Sequence, residues 1–176
     1  MLADQRLPRG TTDVQGLSAL NMYQMHDAGT IAPIDYGKLK NAPNLLGSMK
    51  YPYGVGHIYS GKVGVYNPKM FPTAPASYKE VFDPKHGNKL GIIDIQYQYT
   101  IAAAAITAGG SPANLEPGKK LLIEVRKAGA RIYPTNEAFA QGLKVDEFGV
   151  GIMWKARSVQ WQNAGINVKA VTPSEG

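Results

Sequence analysis

The chain has 176 residues, of which 44% are hydrophobic and 18% charged. That is enough apolar material for one core, or one lobe and part of a second, and it excludes a disordered chain. The net charge is +6, but the 19 Lys and Arg residues are scattered, with Lys119-Lys120 the densest pair, and no basic run with interleaved aromatics marks a nucleic-acid surface. With no cysteine there is no disulfide, thiolate nucleophile or cysteine-ligated metal.

No apolar run reaches the roughly 18 residues that cross a bilayer. Met1-Leu2 leads straight into Ala3-Asp4-Gln5-Arg6, without the apolar stretch of a signal peptide. The first dozen residues are polar and read as irregular, and Asp13-Val14 reads as the end of a short strand. A helix is predicted over Ser18 to Ala28, with Leu17, Leu20 and Met25 on its apolar side and Gly29 as its stop. Residues 30–56 are broken by proline, glycine and asparagine and predict loop with short turns.

Gly56 to Asn67 is strand-like, with Val63, Val65 and Tyr66 as β-formers and Asn67-Pro68 ending the run. A proline-rich stretch follows, with one helical turn around Tyr78 to Phe82. A regular alternation then begins. Leu90 to Ile95 predicts a strand, and Thr100 to Ala108 a helix apolar on almost every side, which calls for burial. Lys119 to Ala128 predicts an amphipathic helix with Leu121, Leu122, Val125 and Ala128 on one stripe. Arg131 to Tyr133 is a strand, Thr135 to Leu143 a helix with Thr135 as N-cap, Phe148 to Met153 a strand, Lys155 to Ala164 a helix, and Ile166 to Val171 the last strand. Strands alternating with helices predict an α/β fold with a parallel or mixed sheet.

In an open α/β sheet, ligands sit at the carboxyl ends of the strands. Three strand-to-helix junctions therefore attract attention: Asp94 to Thr100, Tyr133 to Glu137, and Trp154 to Arg157. Tyr97, Tyr99 and Trp154 offer flat apolar faces with polar tips; Gln96, Gln98 and Asn136 offer both donors and acceptors. Each junction opens a helix, whose free N–H groups favour an anion, and Lys155 and Arg157 add charge. Asp94 and Glu137 are the acidic members.

Catalytic sets are not evident. His26, His57 and His86 lie far apart without metal-ligand spacing, Ser60 does not sit in a nucleophile elbow, and no phosphate or dinucleotide loop occurs. Asp94 and His57 are the candidates for a general base should the fold serve an enzyme, and Tyr97, Tyr99 and Glu137 should it bind a metal.

Several stretches carry a family resemblance. Asp13-Val14, a helix, then Gly29 to Asp35 (GTIAPID) resembles the segment of type 2 periplasmic binding proteins that usually reads DV, helix, G-L-L-x-P-I-D. Tyr51 to Asn67 (YPYGVGHIYSGKVGVYN) resembles their first crossing between lobes. Ser77 to Pro84 (SYKEVFDP) with Lys89 to Asp94 resembles their entry into the second lobe, and Pro173 to Gly176 (PSEG) the start of the return crossing. The order and spacing resemble the spermidine/putrescine-type and iron-type solute-binding proteins of ABC transporters.

The resemblance implies a periplasmic binding protein type 2-like fold with one complete α/β lobe and part of another: 1–66 a partial first lobe with the hinge crossing, 67–171 the second lobe, and 172–176 the start of the return crossing. It implies a fragment of a chain nearly twice this length, which would explain the missing signal peptide. It further implies a periplasmic, non-enzymatic protein without cofactor, which binds a small-molecule solute and hands it to a membrane permease. Gln96, Tyr97, Gln98, Tyr99, Asn136 and Trp154 would line the second-lobe wall, with Tyr59 and Ser60 contributing from the crossing. Iron-binding members place a tyrosine pair where Trp154-Lys155 stands here. Polyamine-binding members share the tryptophan but place acidic residues where Gln96 to Tyr99 stand. A ligand that is anionic or zwitterionic is the expectation. The partial first lobe is expected to expose apolar surface such as Leu17, Leu20 and Ile34.

Overall fold

The computed structural model describes residues 10–175, the side chain of Leu20 excepted. The expectation of irregular structure over residues 1–9, and the end of the return crossing at Gly176, lie outside the described residues. Contacts divide the chain into two compact units, one ending at Tyr59 and the other beginning at Ser60. The division falls before the strand that precedes Asn67 rather than after it, because that strand is hydrogen-bonded into the second unit's sheet.

The first unit opens without the strand expected at Asp13-Val14, which is exposed and irregular. Helix α1 (Ala19–Asp27) follows, because the Ser18 hydroxyl accepts a hydrogen bond from the Asn21 amide and Gly29 turns the chain out of the helix at φ 68°. Among its described side chains the buried one is Met22; of the expected apolar side, Met25 is half-buried and Leu17 is exposed. Three single 3-10 turns (Tyr36–Lys38, Ala42–Asn44, Gly47–Met49) lead to a two-stranded hairpin of β1 (Lys50–Tyr51) and β2 (Gly54–Val55). The Tyr36 hydroxyl lies 2.9 Å from both the Tyr51 and the Gly54 carbonyl oxygens, and His26 stacks on Tyr53 at 3.7 Å. Met22 and Ala42 are the buried hydrophobics of this unit among the described residues, while Val14, Leu46, Ile58 and Tyr59 are exposed.

The second unit is a five-stranded mixed sheet with helices on both faces. Its strands are β3 (Lys62–Tyr66), β4 (Leu90–Ile93), β5 (Arg131–Tyr133), β6 (Val150–Trp154) and β7 (Lys169–Val171), in spatial order β5-β4-β6-β3-β7. β4 runs parallel to β5 and to β6, whereas β3 runs antiparallel to β6 and to β7. The helices are α2 (Tyr78–Val81), α3 (Tyr97–Thr107), α4 (Glu116–Lys127), α5 (Asn136–Lys144) and α6 (Lys155–Asn163).

Period-two alternation sends successive strand residues to opposite faces. Tyr66, Leu90, Val150 and Ile152 pack under α2, α3 and α4, together with Phe82, Ala104 and Val125. Val63, Val65, Ile93 and Met153 pack under α5 and α6, together with Phe139, Phe148 and Trp161. On the stripe predicted for α4, Leu121, Leu122 and Val125 face the core, but Ala128, just beyond the helix end, is exposed. α3 is buried along Ala103 to Ala105 but leaves Ile106 exposed.

Two close approaches fix this packing. Gly91 and Gly151 are register partners in the parallel β4–β6 pair. A Cβ on Gly91 would stand 2.3 Å from the Phe148 ring, and one on Gly151 would stand 3.0 Å from Phe139. The missing side chains make the room in which Phe139 and Phe148 meet edge to face at 4.5 Å. On the other face, a Cβ on Gly118 of α4 would lie 2.5 Å from both the Ala105 nitrogen and the Ile101 oxygen of α3.

At the edge where β3 ends, Asn67 is fully buried, and both the nitrogen and the oxygen of its side chain are hydrogen-bonded. Its side-chain amide donates to Asp146 at 2.5 Å, and its side-chain oxygen accepts from the Lys69 amide and from Asn167, both at 3.0 Å. It thereby ties β3 to the connections that lead into β6 and β7.

Two outcomes follow. Gly118→Ala gains helix propensity of less than about 1 kcal/mol but forces α3 and α4 apart, so a net loss of about 1–3 kcal/mol is expected in urea denaturation; unchanged stability would show that the two helices separate freely. Amides of residues 10–59 are expected to exchange with solvent well before those of the second-unit strands, because so little of the first unit is buried; equal protection by hydrogen-exchange mass spectrometry would contradict this.

Candidate functional site

Because β4, β5 and β6 are mutually parallel in the sheet, their carboxyl ends open on one edge, as expected from the sequence. β3 runs the other way and so begins at that edge. The register pairs its first residue, Lys62, with the last residue of β6, Trp154. The edge therefore gathers three strand ends and one strand start.

The side chains at these positions touch. Gln96, at the N-cap position of α3, is buried. Its side chain does not cap the helix. Its amide nitrogen instead donates to the Asn136 side-chain oxygen at 2.8 Å, and its amide oxygen accepts from the Lys62 ammonium. Asn136 is held as the first residue of α5 by Thr135, whose hydroxyl accepts from the Ala138 amide at 3.1 Å. Trp154 precedes α6, and its indole meets the Tyr99 ring edge-on at 4.9 Å. Lys62 Nζ stands 4.5 Å from the centre of the same indole. The Lys155 amide donates to the Gly61 carbonyl at 3.0 Å, which fastens the start of α6 to the start of β3.

Lys62 dominates the electrostatics. Burial pushes its ammonium down from its ordinary value to about 7. Among the described residues no carboxylate forms an ion pair with it. Its polar neighbours are a neutral amide and an aromatic face.

Of the expected site residues, Gln96, Tyr99, Asn136 and Trp154 come together. The helix predicted from Thr100 begins three residues earlier, so Tyr97, Gln98 and Tyr99 form its first turn instead of a loop. Helical spacing therefore separates Tyr97 from Tyr99. Tyr97 and Asp94 line a shallow apolar groove beside β5, with Ile92, Leu122, Arg126 and Ile132. The expected strand stops at Ile93, where the Asp94 amide donates to the Tyr133 carbonyl at 2.9 Å and turns the chain into α3. Gln98 is half-buried, and Glu137 and Lys155 are exposed at the starts of their helices. Ser60 is half-buried at the start of the second unit, and Tyr59 is exposed in the first. Of the set considered for a metal, Tyr97 lines the groove beside β5, Tyr99 meets Trp154 and Glu137 is exposed; among the described residues no three His, Asp or Glu side chains gather as metal ligands. Lys62 was not anticipated. Its one signal was a lysine opening a strand of otherwise buried residues.

No protein-family model matches the sequence, and no curated protein does. Solved structures do resemble the fold. An ABC transporter substrate-binding protein from Bradyrhizobium japonicum USDA 110 matches with a TM-score of 0.71 and 23% identity, over 86% of this chain and 49% of that one. The binding protein AgtB from A. tumefaciens R10, in complex with agropinic acid, matches with a TM-score of 0.68 and 22% identity, over 83% and 46%. The spermidine/putrescine ABC transporter substrate-binding protein PotD from Streptococcus pneumoniae strain Canada MDR_19A matches with a TM-score of 0.63 and 18% identity, over 88% and 50%. These neighbours are transport binding proteins rather than enzymes. The chain spans about half the length of each, and over that half it carries the α/β fold of ABC-transporter substrate-binding proteins, an α/β lobe with part of a second.

Proposed function

We propose that this chain is the solute-binding part of an ABC uptake transporter, holding a small organic molecule at the carboxyl edge of the second unit's sheet without chemically altering it. The observation that carries this reading is the meeting of the three junctions: Gln96 with Asn136 at 2.8 Å, and Tyr99 with Trp154 at 4.9 Å. A polar pair beside an aromatic pair suits a small solute, because the amides fix its orientation and the rings cover its apolar surface. Lys155 follows Trp154 in the chain, and Ser60 precedes Gly61, whose carbonyl accepts from the Lys155 amide; both supply further polar contacts in this proposal.

The fold shared with transporter receptors supports the same reading. A periplasmic setting and delivery to a membrane permease belong to it. Among the described residues no helix is long and apolar enough to cross a membrane.

The chain contains two tryptophans, Trp154 at the edge and Trp161 buried under the sheet. Titration with organic acids, amino acids, sugars and polyamines is expected to change the fluorescence of Trp154. Trp154→Ala should weaken the best ligand by about tenfold or more, and that ligand should be recovered unchanged after long incubation. Full affinity in the alanine variant, or conversion of the ligand, would overturn the reading.

A further inference from the structure

We propose that Lys62 is the anchor of the ligand and that it selects a small organic acid, whose carboxylate docks on the Lys62 ammonium and the Asn136 amide. This inference rests on the solute-binding reading and names the substrate class for the same edge.

The direction of the hydrogen bonds carries the argument. An ammonium only donates, so its bond to Gln96 must end on the amide oxygen. That choice turns the Gln96 nitrogen toward Asn136, where it donates to the side-chain oxygen at 2.8 Å. The Asn136 oxygen is thereby an acceptor for Gln96, and its own NH2 group remains to donate. The relay from Lys62 through Gln96 to Asn136 thus has one polarity. Beyond the bond to Gln96, the ammonium keeps two N–H groups, one of which the face of Trp154 attracts at 4.5 Å. The free hydrogens of the relay sit on Lys62 and Asn136, and its one net charge is positive. A carboxylate suits both, while a cationic amine would meet a like charge.

The surrounding charges agree. Asp94 ahead of α3, Glu137 in α5, and Lys155 and Arg157 in α6 are all exposed. Glu175, beyond β7, is occupied by the amides of Tyr78 and Lys79 at 3.0 and 3.2 Å. The Tyr78 hydroxyl of α2 donates to the Lys62 carbonyl and not to its side chain. Among the described residues no carboxylate pairs with Lys62, so its charged form carries an unmet desolvation cost that a bound anion removes. The same burial that brings the free ammonium to about 7 makes anion binding depend on pH. Protonation is coupled to binding, so affinity should be full below neutrality and fall as pH rises through that value. For a ligand that binds only the ammonium form, the loss between pH 6 and pH 9 is about 100-fold.

Calorimetric titration of this chain with succinate, glutamate, inorganic phosphate, putrescine and glucose tests the proposal. The expected result is tightest binding of a carboxylate probe, weaker at pH 9 than at pH 6, and reduced at least about tenfold by Lys62→Met. Thermal stability of the ligand-free Lys62→Met protein should not fall, because an unpaired desolvated charge has been removed; a purely structural lysine would give the opposite. Gln96→Glu, which supplies the ammonium with a carboxylate already in place, should weaken the same probe even if Lys62→Met does not fold. Tightest binding of phosphate, putrescine or glucose, or carboxylate affinity unchanged in these variants, would overturn the inference and leave the solute-binding reading standing. Binding of none of the probes would remove both.

Discussion

The placement of two glycines opposite each other, Gly91 in β4 and Gly151 in β6, governs the architecture of the second unit. Their bare backbones let the Phe139 and Phe148 rings settle directly on the centre of the sheet. Parallel pairing is held at the one place where large side chains on both strands would have pushed the helices away. Once β4 and β6 run side by side in the same direction, their exits must open on the same edge. β5 joins β4 in parallel and adds a third exit. The site is a consequence of that pairing: no loop had to be long or unusual to bring Gln96, Asn136 and Trp154 within reach of one another.

The reversed strand β3 contributes what the parallel strands cannot. Parallel strands deliver helix starts to the edge, with their backbone N–H groups and short polar side chains. An antiparallel neighbour delivers a strand start, and here that start is a long cationic side chain which crosses over the Trp154 ring to reach Gln96. Charge enters the edge from within the sheet and so is shielded from water. The exposed Lys155 and Arg157 carry the same formal charge, but solvent screens them far more strongly.

Much of this architecture was legible in the sequence. Glycine stops, the N-cap hydroxyl at Thr135, and the alternation of short apolar runs with amphipathic stretches located the longer helices and the strands, with most bounds shifted by up to three residues and the start of β3 by six. The carboxyl-edge rule then picked out three junctions, and four of the side chains on them touch. Three things were out of reach for physical reasons. The small shift in the start of α3 changed which face Tyr97 occupies, because one helical residue turns a side chain by about 100°. The orientation of β3 is set by long-range pairing and leaves no local trace, so Lys62 was not singled out in the sequence. Asp13-Val14 had strand-like residues but no partner strand within the described chain, and propensity without a partner does not make a sheet.

The hydrogen bonds around Asn67 have an implication for how such a molecule can change. That one side chain closes the far edge of the sheet by binding the connections to β6 and β7 at once, and the Asn67 backbone N–H donates to the Gly149 carbonyl at 2.7 Å as well. These bonds lie at the end of the sheet away from the proposed binding edge. On the solute-binding reading, residues of that edge could vary without touching Asn67, whereas a change at Asn67 would release three segments together. The lobe would then resemble a chuck with interchangeable jaws, its clamp set apart from its grip.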